Sequence, residues 1–199
     1  MRKIESTLLN MVMVLTGVAI VMGIVLAGVN HITSGPIAFQ QQKALADGIK
    51  AVMNADDVSV SHIDTIQQND ISGKPQLFVV YHNEHGVAVE SSTNGFGGKL
   101  RVLVGFNHQG TILGYTILEH AETPGLGAKV TDWFQSGNKR SIIGLSPDEP
   151  LAVSKDGGTI DAITASTITS RAFLSAVNSA YRAYKTLPTD AETAATQHK

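Results

Sequence analysis

From Leu8 to Val29 the chain carries no ionisable side chain. As a helix rising ~1.5 Å per residue, such a run reaches about 30 Å, the thickness of a bilayer's hydrocarbon core. A single transmembrane helix over 8–29 is therefore the first expectation. A cleaved secretory signal competes with it, because Met1-Arg2-Lys3 makes a basic leader. The run is too long for the ~7–15-residue core of a signal peptide, and no convincing small-x-small cleavage site follows it. Arg2 and Lys3 precede the run, whereas the next lysine is Lys43. The positive-inside rule then sets residues 1–7 in the cytoplasm and the chain after the span on the periplasmic, extracytoplasmic side of a bacterial inner membrane.

The rest of the composition removes whole classes of function. A net charge of −2 with no basic run gives no footing for a nucleic-acid backbone. With no cysteine there are no disulfides, thiol nucleophiles, iron–sulfur clusters or cysteine-bound zinc. Electron transfer by this chain would need an organic cofactor, or a haem held by histidine.

Past the span, a helical connector over 30–53 leads to a domain over 54–187 and a polar tail over 188–199. Ile37, Leu45, Ile49 and Val52 recur at helical spacing, with Thr33 or Ser34 as the cap and Pro36 in the first turn. Two strand pairs follow. Gln76–Tyr81 and Val87–Glu90 flank the turn Asn83-Glu84-His85-Gly86, and Leu100–Phe106 and Thr111–Leu118 flank Asn107-His108-Gln109-Gly110. Thr93–Gly98 is a glycine-rich loop bearing one aromatic residue. Asp132-Trp133-Phe134 begins a short helix that Gly137-Asn138 ends. Phe173, Val177, Tyr181 and Tyr184, spaced by four, four and three, mark one face of a last helix opened by Thr169 or Ser170. The predicted fold class is α+β: one N-terminal transmembrane helix, then one domain of antiparallel β-strands with covering helices.

The chemistry concentrates in Asp161–Arg171, where five of eleven residues carry a hydroxyl just before that last helix. Serine and threonine there serve as N-caps for the free amides of a first turn. The same helix end, with unpaired N–H groups and partial positive charge, also holds a phosphate. A threonine hydroxyl in that place either hydrogen-bonds the phosphate or is esterified by it; the residues alone leave both open. Upstream, Pro124-Gly125 suits the two central positions of a type II turn.

Asp161-Ala162-Ile163-Thr164-Ala165-Ser166-Thr167 resembles the flavinylation motif of the FMN-binding domain family. That motif is an aspartate, two spacers, a hydroxyl residue, a small residue, Ala or Ser, and an acceptor threonine. Ala165 stands where the family more often has glycine, and Ser166 where it more often has alanine. Ile168-Thr169-Ser170 also follows the family pattern. Glu122-Thr123-Pro124-Gly125-Leu126-Gly127, preceded by His120-Ala121, and Gly95-Phe96-Gly97-Gly98 resemble two further segments of the family, in the same order along the chain. The resemblance implies FMN joined by a phosphoester to Thr167, with a flavin transferase using FAD as donor. It makes Asp161, Thr164, Ser166, Thr169, Ser170, Glu122, Thr123, Leu126 and Gly127 candidate cofactor-binding residues; Lys129 and Arg171, close to the two motifs in sequence, are candidate cations for the phosphate, with a solvated first-turn residue as the other reading of Arg171. No catalytic residue and no metal site are implied.

Within the family the chain is most similar to the branch of G subunits from Rnf-type complexes. Membership there implies a covalent-FMN electron carrier among other membrane and peripheral subunits, in a complex coupling ferredoxin/NAD electron transfer to ion translocation. The C subunit of the Na⁺-translocating NADH:quinone reductase, usually longer, and a tethered flavin-binding module outside any such complex are the alternatives. His82 and His85 are expected as exposed turn residues rather than metal ligands. Trp133 with Phe134 is expected as core, with shielding a flavin or docking a neighbouring protein as the other uses.

Overall fold

The computed structural model describes residues 7–53, 60–70, 73, 75–137 and 139–187. Arg2, Lys3, Asn138 and the polar tail lie outside the described residues. The chain divides into two compact units, Met1–Lys43 and Ala44–Lys199.

Helix α1 runs from Leu8 to Met53, and its residues up to Lys43 belong to the first unit. Among the described residues it is the one helix long and apolar enough to cross a membrane. It differs from the expected connector in having no start at Thr33 or Ser34. The Thr33 hydroxyl donates back to the Val29 carbonyl (2.8 Å) and the Ser34 hydroxyl to that of His31 (3.1 Å). Both therefore sit inside the helix rather than capping it. Pro36 stands in the helix interior, where it withdraws one backbone donor without ending the element.

The second unit is built on a five-stranded antiparallel meander in the order β1 to β5. Its strands are β1 (His62–Asn69), β2 (Pro75–Asn83), β3 (Gly86–Asn94), β4 (Lys99–Phe106) and β5 (Ile112–Glu119). Both foreseen hairpins are present. Asn83 pairs with Gly86 across a two-residue turn. At the β4–β5 turn the Asn107 carbonyl accepts the Gly110 amide, and the Asn107 amide donates to the Thr111 carbonyl. Edge strand β1 was not foreseen, since His62-Ile63-Asp64-Thr65-Ile66-Gln67-Gln68-Asn69 has too few apolar residues to announce a strand. Pairing to β2 from His62↔His82 to Asn69↔Pro75 makes it one. His82 thus lies in a strand, not in the turn.

Each face of the sheet buries a separate apolar cluster. Ile49, Val52 and Met53 from the end of α1 cover Tyr81, Ala88 and Leu103. This approach needs the paired glycines Gly105 and Gly114, because a Cβ on Gly114 would stand 3.2 Å from Val52 Cα. On the opposite face lie α2 (Val130–Trp133), the loop after it, and α3 (Thr167–Lys185). Phe173 of α3 stacks on Phe134 with centroids 4.5 Å apart and packs against Tyr115 at 4.7 Å. Fully burying a ring such as Phe134 or Phe173 contributes about 1.5–3 kcal/mol.

The Tyr115 hydroxyl ties β5 to α2: it donates to the Val130 carbonyl (2.8 Å) and accepts the Phe134 amide (3.1 Å). Burial pushes its ionisation well above the ordinary tyrosine range, so it is a neutral two-way hydrogen-bonding group. Tyr115→Phe strands both partners in the core. Its expected cost is about 2 kcal/mol, read as a lower denaturant midpoint with unchanged slope.

Candidate functional site

Three connections converge at the N-terminal end of α3. The first is the β3–β4 turn Gly95–Gly98, closed by the Gly95 amide on the Gly98 carbonyl (2.8 Å). The second follows β5. There Thr123-Pro124-Gly125-Leu126 forms the expected type II turn, with Gly125 at φ +76° and the Leu126 amide on the Thr123 carbonyl (3.2 Å). The third is the segment Asp161–Ser166 that leads into α3.

Glu122 joins all three. It is buried; one carboxylate oxygen accepts the Gly97 amide (3.2 Å) and the other the Thr169 hydroxyl (2.7 Å). Glycine at 95, 97 and 127 follows from this closeness. A Cβ at Gly95 or Gly127 would run into the Glu122 carboxylate, and one at Gly97 into the Ala121 carbonyl. The sequence makes Glu122 a candidate cofactor contact; in the structure its hydrogen bonds make it the clasp of these three segments.

Asp161 is held from three sides. Its amide donates to the Lys139 carbonyl (2.6 Å), its carbonyl accepts the Trp133 indole N–H (2.9 Å), and its carboxylate accepts the Ser154 hydroxyl (2.9 Å). Ser170 is fully buried and structural: its hydroxyl accepts the Ile163 amide (2.9 Å) and donates to the Ser166 carbonyl (3.0 Å). These bonds fold 163–166 into a tight turn with Ala165 at φ +61°. A left-handed conformation costs a non-glycine residue such as Ala165 ~1–2 kcal/mol. Ala165→Gly is expected to stabilise the chain by about 0.5–1 kcal/mol, the gain reduced by glycine's greater freedom when unfolded. A raised thermal midpoint of the detergent-solubilised chain would show it, and no rise would mean the turn carries no strain.

The last helix starts at Thr167, earlier than the expected Thr169 or Ser170. Ser166 occupies the cap position but makes no side-chain cap bond, and the first intrahelical bond is from the Ser170 amide to the Ser166 carbonyl (3.0 Å). The amides of Thr167, Ile168 and Thr169 therefore precede the hydrogen-bonded ladder, as donors for an anion. The Thr167 hydroxyl has no hydrogen-bond partner among the described residues.

Two cavities meet at Thr167 and Ala165. One, of about 400 Å³, is lined by Phe96, Glu122, Thr123, Leu126, Gly127, Ser166, Ile168 and Thr169. Phe96, Leu126 and Ile168 are 69%, 43% and 53% exposed, an apolar rim with nothing among the described residues to cover it. The other, of about 560 Å³, is lined by Trp133, Arg140, Ser154, Lys155, Asp161 and Thr164 among others. Both volumes fall in the ~300–1,000 Å³ range of small-molecule sites. Lys129 is exposed on the 3-10 turn Gly127–Lys129 and lines neither cavity. Two guanidinium nitrogens of Arg171, Nε and Nη2, donate to the Asp156 carboxylate (2.7 and 2.6 Å). The cations that do line the second cavity, Arg140 and Lys155, carry no motif signal in the sequence.

An FMN-binding domain matches residues 95–182, which contain all three converging segments. The chain is 34% identical to the G subunit of the ion-translocating oxidoreductase complex of Shewanella piezotolerans over 162 residues, 75% of this chain and 76% of that one. It is 34% identical to the corresponding Yersinia pestis protein over 174 residues, 81% and 83% of the two chains. With its Escherichia coli counterpart it shares 33% identity over 173 residues, 81% and 84% of the two. Likeness of that extent reaches well beyond the site, and the chain belongs to the family of G subunits of ion-translocating oxidoreductase complexes, with an FMN-binding domain.

Proposed function

We propose that this chain is the covalent-FMN electron carrier of an Rnf-type complex, with Thr167 as the attachment residue. The observation that carries the proposal is the unpartnered Thr167 hydroxyl at the first turn of α3, between two cavities. Joining the cofactor forms a bond from Thr167 Oγ to the FMN phosphorus and breaks the FAD anhydride. AMP leaves and the hydroxyl proton passes to the transferase. Bound FMN supplies one- and two-electron carriage.

This chain's residues then bind and orient. Phe96, Leu126 and Ile168 offer the apolar surface that a flat ring would cover, which fits their exposure in the chain alone. Thr123 and Gly127 line the same cavity from the type II turn. Glu122 and Thr169 keep the two walls together, and the free amides of the first turn favour the phosphate charge. Asp161 and Ser170 shape the acceptor turn. A covalent link keeps the cofactor from being lost on the outer side of a membrane.

In the same proposal residues 8–29 form the span with the N-terminus inside, 30–53 the connector, and 54–187 the flavin domain outside. Other membrane and peripheral subunits of the complex are its electron partners, with electron flow between ferredoxin and NAD coupled to ion movement. The test is whether flavin fluorescence stays with the denatured chain on a gel after co-expression with the flavin transferase. A dark band beside a fluorescent control protein would overturn the proposal in favour of a tethered module.

A further inference from the structure

We propose that Arg140 and Lys155 form the phosphate-recognition subsite of this chain, on the side of Thr167 opposite the apolar rim; this rests on Thr167 as the flavin acceptor. The cofactor has two chemically unlike ends, a flat apolar ring system and an anionic phosphate. Thr167 separates two cavities of unlike character. The rim of one is Phe96, Leu126 and Ile168, whereas Arg140 and Lys155 line the other.

Neither cation is engaged by a carboxylate among the described residues. The Arg140 guanidinium lies over the Trp133 ring, 4.7 Å from its centroid, a contact that uses the ring face and consumes none of its N–H donors. Trp133 is in turn pinned to the Asp161 carbonyl, and the Asp161 amide to the carbonyl of Lys139. Asp161 therefore places Arg140 relative to the acceptor segment. Lys155 sits on the 3-10 turn Ser154–Asp156, and the Arg171–Asp156 ion pair ties that turn to α3. Arg171 so acts as a positioning residue for Lys155. Asp161 also lines this cavity, with one carboxylate oxygen on the Ser154 hydroxyl. Two cations against one carboxylate leave the cavity net positive, suited to a phosphate monoester or diester.

The test uses the full-length chain in detergent, made without transferase, titrated with FMN and separately with riboflavin, which lacks the phosphate. The wild-type chain is expected to bind FMN about tenfold more tightly than riboflavin, the scale of a charge-assisted contact. Lys155→Gln and Arg140→Gln should each reduce that preference about twofold, and the double variant about fourfold, the remainder belonging to the first-turn amides of α3, with riboflavin binding unchanged. A preference undiminished in the double variant overturns the subsite, as does a wild-type chain that binds the two ligands equally or binds neither. Equal loss of both ligands in Arg140→Gln would likewise overturn it, as a packing effect through Trp133. Covalent attachment is read separately on a denaturing gel. Failure to attach at Thr167 with the FMN preference intact would remove the acceptor assignment and leave the subsite standing.

Discussion

Thr167→Val is expected to leave a folded chain that carries no covalent flavin. Valine keeps the branched shape and removes only the hydroxyl. That hydroxyl has no partner among the described residues, so its loss should change stability by no more than about 0.5 kcal/mol. The effect on attachment should be all or none, because no other atom at this position can form the ester. Wild-type and variant chains, each co-expressed with the flavin transferase, would be compared on a denaturing gel under ultraviolet light. A fluorescent wild type beside a dark variant is the expected result. Fluorescence in both lanes would move the acceptor, and the structure ranks the replacements. Thr164 is exposed, whereas Ser166 is buried and Thr169 is buried with its hydroxyl on Glu122. Thr164 would be tested next.

Glu122→Ala should produce the largest loss of stability of any single change at the site. The carboxylate accepts two hydrogen bonds that link residues far apart in the chain, the Gly97 amide and the Thr169 hydroxyl. Hydrogen bonds to a charged acceptor contribute ~1.5–3 kcal/mol each. Glu122 also lines the apolar-rimmed cavity, so water can enter after truncation and recover part of the loss. The expected net cost is about 2–3 kcal/mol by denaturant unfolding of the detergent-solubilised chain. Glu122→Gln should cost under ~1 kcal/mol, because its amide oxygen can accept the Gly97 N–H while its NH₂ donates to Thr169, whose hydroxyl reverses direction. Equal losses for alanine and glutamine would show that charge, not the two-way clasp, holds these loops together.

Much of the local structure was legible along the chain because it depends on neighbouring residues. Asn83-Glu84-His85-Gly86 and Asn107-His108-Gln109-Gly110 determine their own turns, and Pro124-Gly125 its type II turn with Gly125 at positive φ. The α+β class followed from these hairpins and from the Phe173, Val177, Tyr181, Tyr184 stripe. The Leu8–Val29 run likewise needs no partner to be recognised as long and apolar enough for a membrane. The order of the three motif segments determined the family.

Tertiary structure decided what long-range contacts alone can decide. The start of α3 moved to Thr167 because the buried Ser170 hydroxyl folds 163–166 back upon the helix, a use of serine that local propensity does not distinguish from capping. Strand β1 exists through its pairing with β2, not through its own pattern. Sequence proximity points to Lys129 and Arg171 for charge near Thr167, yet Lys129 is exposed and lines neither cavity and Arg171 is bound by Asp156. Arg140 and Lys155 line the same cavity as Thr167, placed by the Trp133–Asp161 hydrogen bond and the Asp156–Arg171 ion pair. The sequence by itself determined the FMN-binding family and singled out Thr167 as the threonine to test. Only the folded chain decided what surrounds that threonine, because side chains far apart in sequence become neighbours only when sheet, loops and helix pack.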